Sequence, residues 1–150
     1  VKKIGEYTTR GRIPSDASTN RILLFDGRFD TGYRITEFRI APTNVDDTNQ
    51  LNIQCKVMTD DDGSAGTNWR WDNNEEIAWA AFAFDGNDPK MAFDYTQVDP
   101  DNLVVQDLYL RGESRPSGDT VEMNYFIRME KYEFKDSTGA LAMVRNRSQA

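Results

Sequence analysis

The chain is predicted to fold as an all-β sandwich of jelly-roll-like type, on three observations. Apolar residues recur at every second position in several short runs; turn residues break those runs at short spacing; a helical period appears only beyond residue 135. Period-two alternation marks a half-buried strand, because successive side chains point to opposite faces. Seven or eight such strands joined by Asp, Asn, Gly and Pro turns indicate two packed sheets.

The elements follow in chain order. Residues 1–20 are polar and aperiodic, and read as an extended N-terminal arm ahead of one sandwich domain over 21–150. RILLF (21–25) is the first strand, closed by the turn pair Asp26-Gly27. In YRITEFRIA (33–41), Tyr33 and Ile35 hold odd positions while Phe38 and Ile40 hold even ones. A one-residue change of phase needs a β-bulge, or the apolar set would turn to water. LNIQCKVM (51–58) alternates most cleanly, and its polar partners Asn52, Gln54 and Lys56 predict a face that is wet or meets another subunit.

EIAWAAFAF (76–84) is apolar at nearly every position, as in a strand covered on both faces. MAFDY (91–95) and LVVQDLYL (103–110) are further strands, and RGESRPSGD (111–119) is a loop. The last strand runs from Val121 to Phe134. Val121, Met123, Tyr125, Ile127 and Met129 are odd, Tyr132 and Phe134 even, so a second bulge is expected after Lys131, on a strand neighbouring the first. After it, Asp136 or Ser137 can cap a short C-terminal helix with Ala140, Leu141 and Val144 on one face.

Composition narrows the chemistry. A chain of 150 residues can bury a full core without disulfides, and its one cysteine, Cys55, alternates with Leu51, Ile53 and Val57 as a small buried hydrophobe. Histidine is absent, which removes Ser-His-Asp and Cys-His nucleophile systems and histidine metal triads. No phosphate loop, CxxC pair or HExxH occurs, so neither a catalytic residue nor a cofactor or metal site is assigned. No apolar run reaches the length of a membrane span, and the first residues lack the apolar core of a signal peptide.

Net charge is −7, with eight Lys/Arg against five Asp/Glu in residues 1–40 and five against sixteen in 41–120. Without a concentrated basic patch, nucleic acid is not the expected partner. Mild basicity near the start, with Arg10 and Arg12, instead suits contact with an acidic protein surface.

Two motifs carry possible site chemistry. Asp60, Asp61 and Asp62 resemble a cation loop, but Ala65 stands where an EF-hand needs glycine, so the segment reads as a solvated acidic turn. Trp69 and Trp71 share a face if the segment is extended, and could stack on sugar rings or anchor a subunit contact. Twenty-five acids place many carboxylates close together, yet no pattern selects a pair for glycoside hydrolysis.

Three stretches carry a family likeness: NNEEIAWAAFAFDGN (73–87), VDPDNLVVQDLYLRG (98–112) and NYFIRMEKYEFKDSTGALAMVRNRSQA (124–150). Together they resemble small virion structural proteins of tailed and other marine bacteriophages, in which a β-sandwich ends in a YEF-type strand and a short Ala-rich, Arg-terminated tail. The resemblance implies a non-enzymatic protein located in the virion. It would be a capsid decoration (cement) protein, a small jelly-roll coat protein or a tail component. Its partners would be the major capsid protein, other virion proteins and further copies of itself. Arg10, Arg12, Trp69 and Trp71 are then the expected contact residues, and Leu141, Met143 and Val144 pack the terminal helix. The alternative is a carbohydrate-binding or receptor-binding sandwich that uses the Trp69–Trp71 loop.

Overall fold

The computed structural model describes residues 2–43, 50–61, 66–85, 93–115 and 122–134. The strands in these segments are β1 (Lys2–Pro14), β2 (Asp16–Ile22), β3 (Thr31–Pro42), β4 (Gln50–Met58), β5 (Glu76–Asp85), β6 (Phe93–Val98), β7 (Leu108–Arg115) and β8 (Glu122–Glu133). They form a three-stranded sheet in the order β1-β8-β3 and a five-stranded sheet in the order β2-β7-β4-β5-β6, every pairing antiparallel. No helix occurs among the described residues; the expected C-terminal helix, with Leu141, Met143 and Val144, lies outside them.

The core is the space between the sheets. Ile13, Ile35, Phe38, Ile40, Met123, Ile127 and Met129 enter it from the smaller sheet. Leu51, Ile53, Cys55, Val57, Ala78, Ala80, Leu108 and Leu110 meet them from the larger one. The alternating run 51–57 therefore points inward at its odd positions, as its period requires. Cys55 is fully buried, and burial pushes its thiol up to about 12, so it packs and does not react.

The slip in β3 is a bulge. Its register against β8 shifts between Ile35 and Glu37, and the hydroxyl of the extra residue, Thr36, donates to the Arg128 carbonyl at 3.2 Å. Ile35 and Phe38 thus both reach the core despite the change of parity. The second expected bulge does not occur. β8 pairs with β3 without a slip from Lys131 to Glu133, and the irregularity opposite lies in β1, between Lys3 and Gly5. The parity of β8 changes because Tyr132 lies on the outer face, its ring under Arg34 at 5.2 Å. Phe134 has left the strand, with its N–H donating to the Asp30 carbonyl at 2.8 Å.

Residues 2–20 do not form an arm. β1 pairs with β8 along its whole length, and β2 pairs with β7, so the segment belongs to both sheets. Its polarity misleads because β1 is an edge strand whose outward side chains are ion-paired: Lys3 with Glu130 at 2.7 Å, Glu6 with Arg128 at 2.9 Å, Arg12 with Glu122 at 3.2 Å.

Two further boundaries move. β2 stops at Ile22 because Asp107 captures the next amides, Leu24 N–H at 2.8 Å and Phe25 N–H at 3.0 Å. Arg111–Arg115, expected as loop, is the second half of β7, and Val104 makes only an isolated bridge to Tyr33. Gly112 signals close approach here and not a turn. A Cβ at that position would lie 2.8 Å from the sulfur and methyl of Met123 across the core.

Candidate functional site

Three surfaces stand out, each built by a different part of the chain. The first is the loop from Leu23 to Asp30. Its conformation is fixed by two carboxylates. Asp107 accepts from the amides of Leu24 and Phe25 and from the Arg21 guanidinium. Asp26 accepts from Arg28 N–H at 2.9 Å, Thr31 hydroxyl at 2.8 Å and Lys131 Nζ at 3.0 Å. Gly27 supplies the left-handed turn between them, at φ +84°. Burial pushes the Asp107 carboxyl up, but Phe25 N–H, the Arg21 guanidinium and Leu24 N–H outweigh it and hold it below the ordinary range. On this fixed frame Leu23 is 75% exposed, Phe29 48% and Phe25 39%, with the two phenyl rings 5.2 Å apart.

The second surface is the outer face of the five-stranded sheet. Residues 66–75 fold back across it as a strap. Lys56, on the face expected to be wet or to meet another subunit, is completely buried by the chain's own strap, donating to Asn68 O at 2.8 Å and Glu76 Oε2 at 3.0 Å. Glu76 Oε1 accepts from Arg70 N–H at 2.9 Å and from Trp79 Nε1 at 3.0 Å. Gln54 donates to the Thr67 carbonyl at 3.1 Å, and the Thr67 hydroxyl donates to Glu113. Trp69 and Trp71 pack on different aromatic residues of this outer face. Trp69 stacks on Tyr95 with centroids 5.8 Å apart, while Trp71 packs on Trp79 at 5.7 Å and stays 60% exposed. The strap is a turn here, not a strand, so their placement follows from these ring contacts and not from a two-residue period.

Beside the strap the outer face stays open as a trough of about 270 Å³. Ala81 and Ala83 floor it, Asn52, Gln54 and Asn68 line one side, and Phe93, 53% exposed, stands at the other. Tyr95 lies nearly parallel to Phe93, 5° between planes and 6.3 Å between centroids, so Phe93, Tyr95 and Trp69 form one aromatic ladder.

The third surface is a cleft of about 670 Å³ between the sheets, where Arg10, Arg12 and Arg39 surround Ile40, Phe82 and Tyr125. Arg10 and Arg12 thus sit together. Their setting is not a basic patch, because Arg12 is paired with Glu122 at 3.2 Å and Arg39 with Glu37 at 2.8 Å and Asp94 at 3.3 Å.

Asp60 and Asp61 are exposed, Asp62 lies outside the described residues, and no group of three His, Cys, Asp or Glu that could hold a metal occurs among the described residues. Sequence reasoning missed the Leu23–Asp30 loop and the Phe93 trough. The apolar run RILLF reads as a strand through Leu23 and Phe25, and Phe93 reads only as one alternating apolar position. The available signal was Asp26-Gly27 so close behind RILLF, which leaves little room for a strand beyond Ile22. No protein-family model, curated protein or solved structure matches the chain.

Proposed function

We propose that the protein is a non-enzymatic structural component of a phage particle, a capsid-associated decoration or cement protein acting through contacts with other virion proteins and with further copies of itself. The observation that carries this reading is the Leu23–Asp30 loop. Keeping apolar surface in water forgoes roughly 25 cal/mol per Å². A loop fixed by Asp107 and Asp26 that nonetheless presents Leu23, Phe25 and Phe29 is suited to burial against another protein.

The strand order adds support by fold analogy. β1 with β8, β2 with β7 and β4 with β5 nest as in a jelly roll, while Arg39 and Asp94 link β3 to β6 where a fourth ladder would lie. We infer a jelly-roll topology, an architecture used by viral capsid and lectin domains. The histidine-free composition and the likeness of residues 73–87, 98–112 and 124–150 to small virion proteins point the same way.

The test is quantitative mass spectrometry of particles of the phage that encodes the chain. A copy number commensurate with capsid symmetry is expected; absence from the particle, or the few copies of a tail component, overturns the decoration role. A Leu23→Ser/Phe29→Ser variant with unchanged circular dichroism should fail to join the particle. Full incorporation of that variant would exclude the loop as the contact surface.

A further inference from the structure

We propose that the trough beside Phe93 on the outer face of the five-stranded sheet binds a neutral sugar ring. Solvent-facing positions of a sheet ordinarily carry polar or large side chains, whereas β5 places Ala81 and Ala83 there in succession, so the floor is low and apolar. Next to that floor Phe93 stands half in water at the edge of the sheet. Its ring is not left loose. Tyr95 lies parallel to it, and Trp69, from the strap, lies against Tyr95. An aromatic ring held in place at a groove wall is a platform for the C–H face of a pyranose.

The opposite wall supplies the hydrogen-bonding groups that sugar hydroxyls need. Asn52 and Asn68 are both exposed, and an amide both donates and accepts, as a hydroxyl does. Asn68 is pre-positioned because its own carbonyl is held by the buried Lys56 ammonium at 2.8 Å. Gln54 is fixed likewise by the Thr67 carbonyl at 3.1 Å. Fixed walls lower the ordering cost of binding.

Charge selects the class of ligand. Among the described residues no Lys or Arg lines the trough, whereas the Glu113 carboxylate does, and Lys56 on the same face is sealed under the strap against Glu76. An anionic ligand, whether nucleic acid, sulfated glycan or acidic peptide, would meet that like-charged carboxylate. At about 270 Å³ the trough is slightly smaller than a drug-sized pocket, which suits one or two sugar rings. The site differs from the Trp69–Trp71 pair suggested by sequence spacing, since Trp71 packs on Trp79 and lies outside it.

The experiment is saturation-transfer difference NMR of the whole chain with maltotriose, cellotriose and tri-N-acetylchitotriose, followed by a glycan array carrying neutral and sulfated oligosaccharides. Binding of at least one neutral glycan is expected. Phe93→Ala should weaken it at least tenfold, and Ala83→Leu, which raises the floor and leaves the aromatic ladder intact, should weaken it as much. Thermal melts check that both variants are folded. No binding to any neutral glycan overturns the proposal. So does binding confined to sulfated glycans, or neutral binding that neither substitution weakens. Free sugars are the probe, so the outcome is independent of whether the protein resides in a particle.

Discussion

Lys56 Nζ lies 3.0 Å from Glu76 Oε2, and neither side chain keeps any exposure to solvent. The pair joins a strand of the larger sheet to the foot of the strap that crosses its outer face. Both carboxylate oxygens accept hydrogen bonds, Oε1 from Arg70 N–H and Trp79 Nε1, and Asn68 O takes a second Lys56 proton. Buried networks of this kind are costly when half satisfied.

Glu76→Ala should therefore destabilise the protein by about 3–5 kcal/mol, because it strands a buried ammonium. The drop would appear as a lower midpoint in urea unfolding. Lys56→Met/Glu76→Leu removes both charges together and should recover most of the loss. A single Glu76→Ala variant as stable as the parent would show that the pair contributes nothing.

The N-terminal segment gives a second expectation. β1 covers one edge of β8 over a register that runs from Lys2 opposite Glu133 to Pro14 opposite Glu122. Removing residues 2–14 takes away Ile13 from the core and the ion pairs of Lys3, Glu6 and Arg12 with β8. Circular dichroism of the truncated chain should show no cooperative melt. A sharp melt near that of the full chain would restore the arm reading.

The contrast between residues 2–14 and 51–58 shows what was legible. In 51–58 one face is core, so period two is written in Leu51, Ile53, Cys55 and Val57. In β1 the inward positions include Gly11, where a Cβ would lie 3.0 Å from the Tyr125 hydroxyl, so a small residue stands where an apolar one would announce the strand. Ile35 and Phe38 were readable as a bulge because both are core residues. Tyr132 was not readable as an outer-face residue, since a ring lying under Arg34 looks apolar in sequence. The strap escaped altogether: its contacts with Lys56, Gln54 and Tyr95 join residues far apart in the chain, and no local pattern encodes them.

Acid should loosen the smaller sheet. Lys3, then Arg34 and the Tyr132 hydroxyl, hydrogen-bond to Glu130 and hold its carboxyl down to about 2, against an ordinary 4.5. Lys3 and Arg128 likewise hold Glu6 low. A carboxyl depressed in the folded state contributes stability that is fully present above its unfolded value. That contribution is lost as pH falls through the folded one. Melting temperature should thus change little on acidification to about pH 5 and fall between about pH 5 and pH 2. Glu130→Gln should flatten that fall while lowering stability at neutral pH, and an unchanged acid slope would exclude Glu130 as its source.

Asp107 is the residue through which the exposed loop can be separated from the rest of the fold. Its carboxylate is nearly buried and receives four donors, two from Arg21 and one each from the Leu24 and Phe25 amides. Asp107→Ala leaves the two amides without their acceptor, a loss of about 1–3 kcal/mol for unsatisfied donors. The core residues Leu108 and Leu110 remain paired in β7 with β2 and β4, so the sandwich itself should persist. Hydrogen exchange is the direct readout. Leu24 and Phe25 amides should exchange much faster in the variant, while the amide of Val57, deep in β4, changes only by the global loss of stability. If contact with a partner needs Leu23, Phe25 and Phe29 held in place, the variant should also join particles poorly although those three side chains are intact. Protected Leu24 and Phe25 amides in Asp107→Ala would show that something other than this carboxylate fixes the loop.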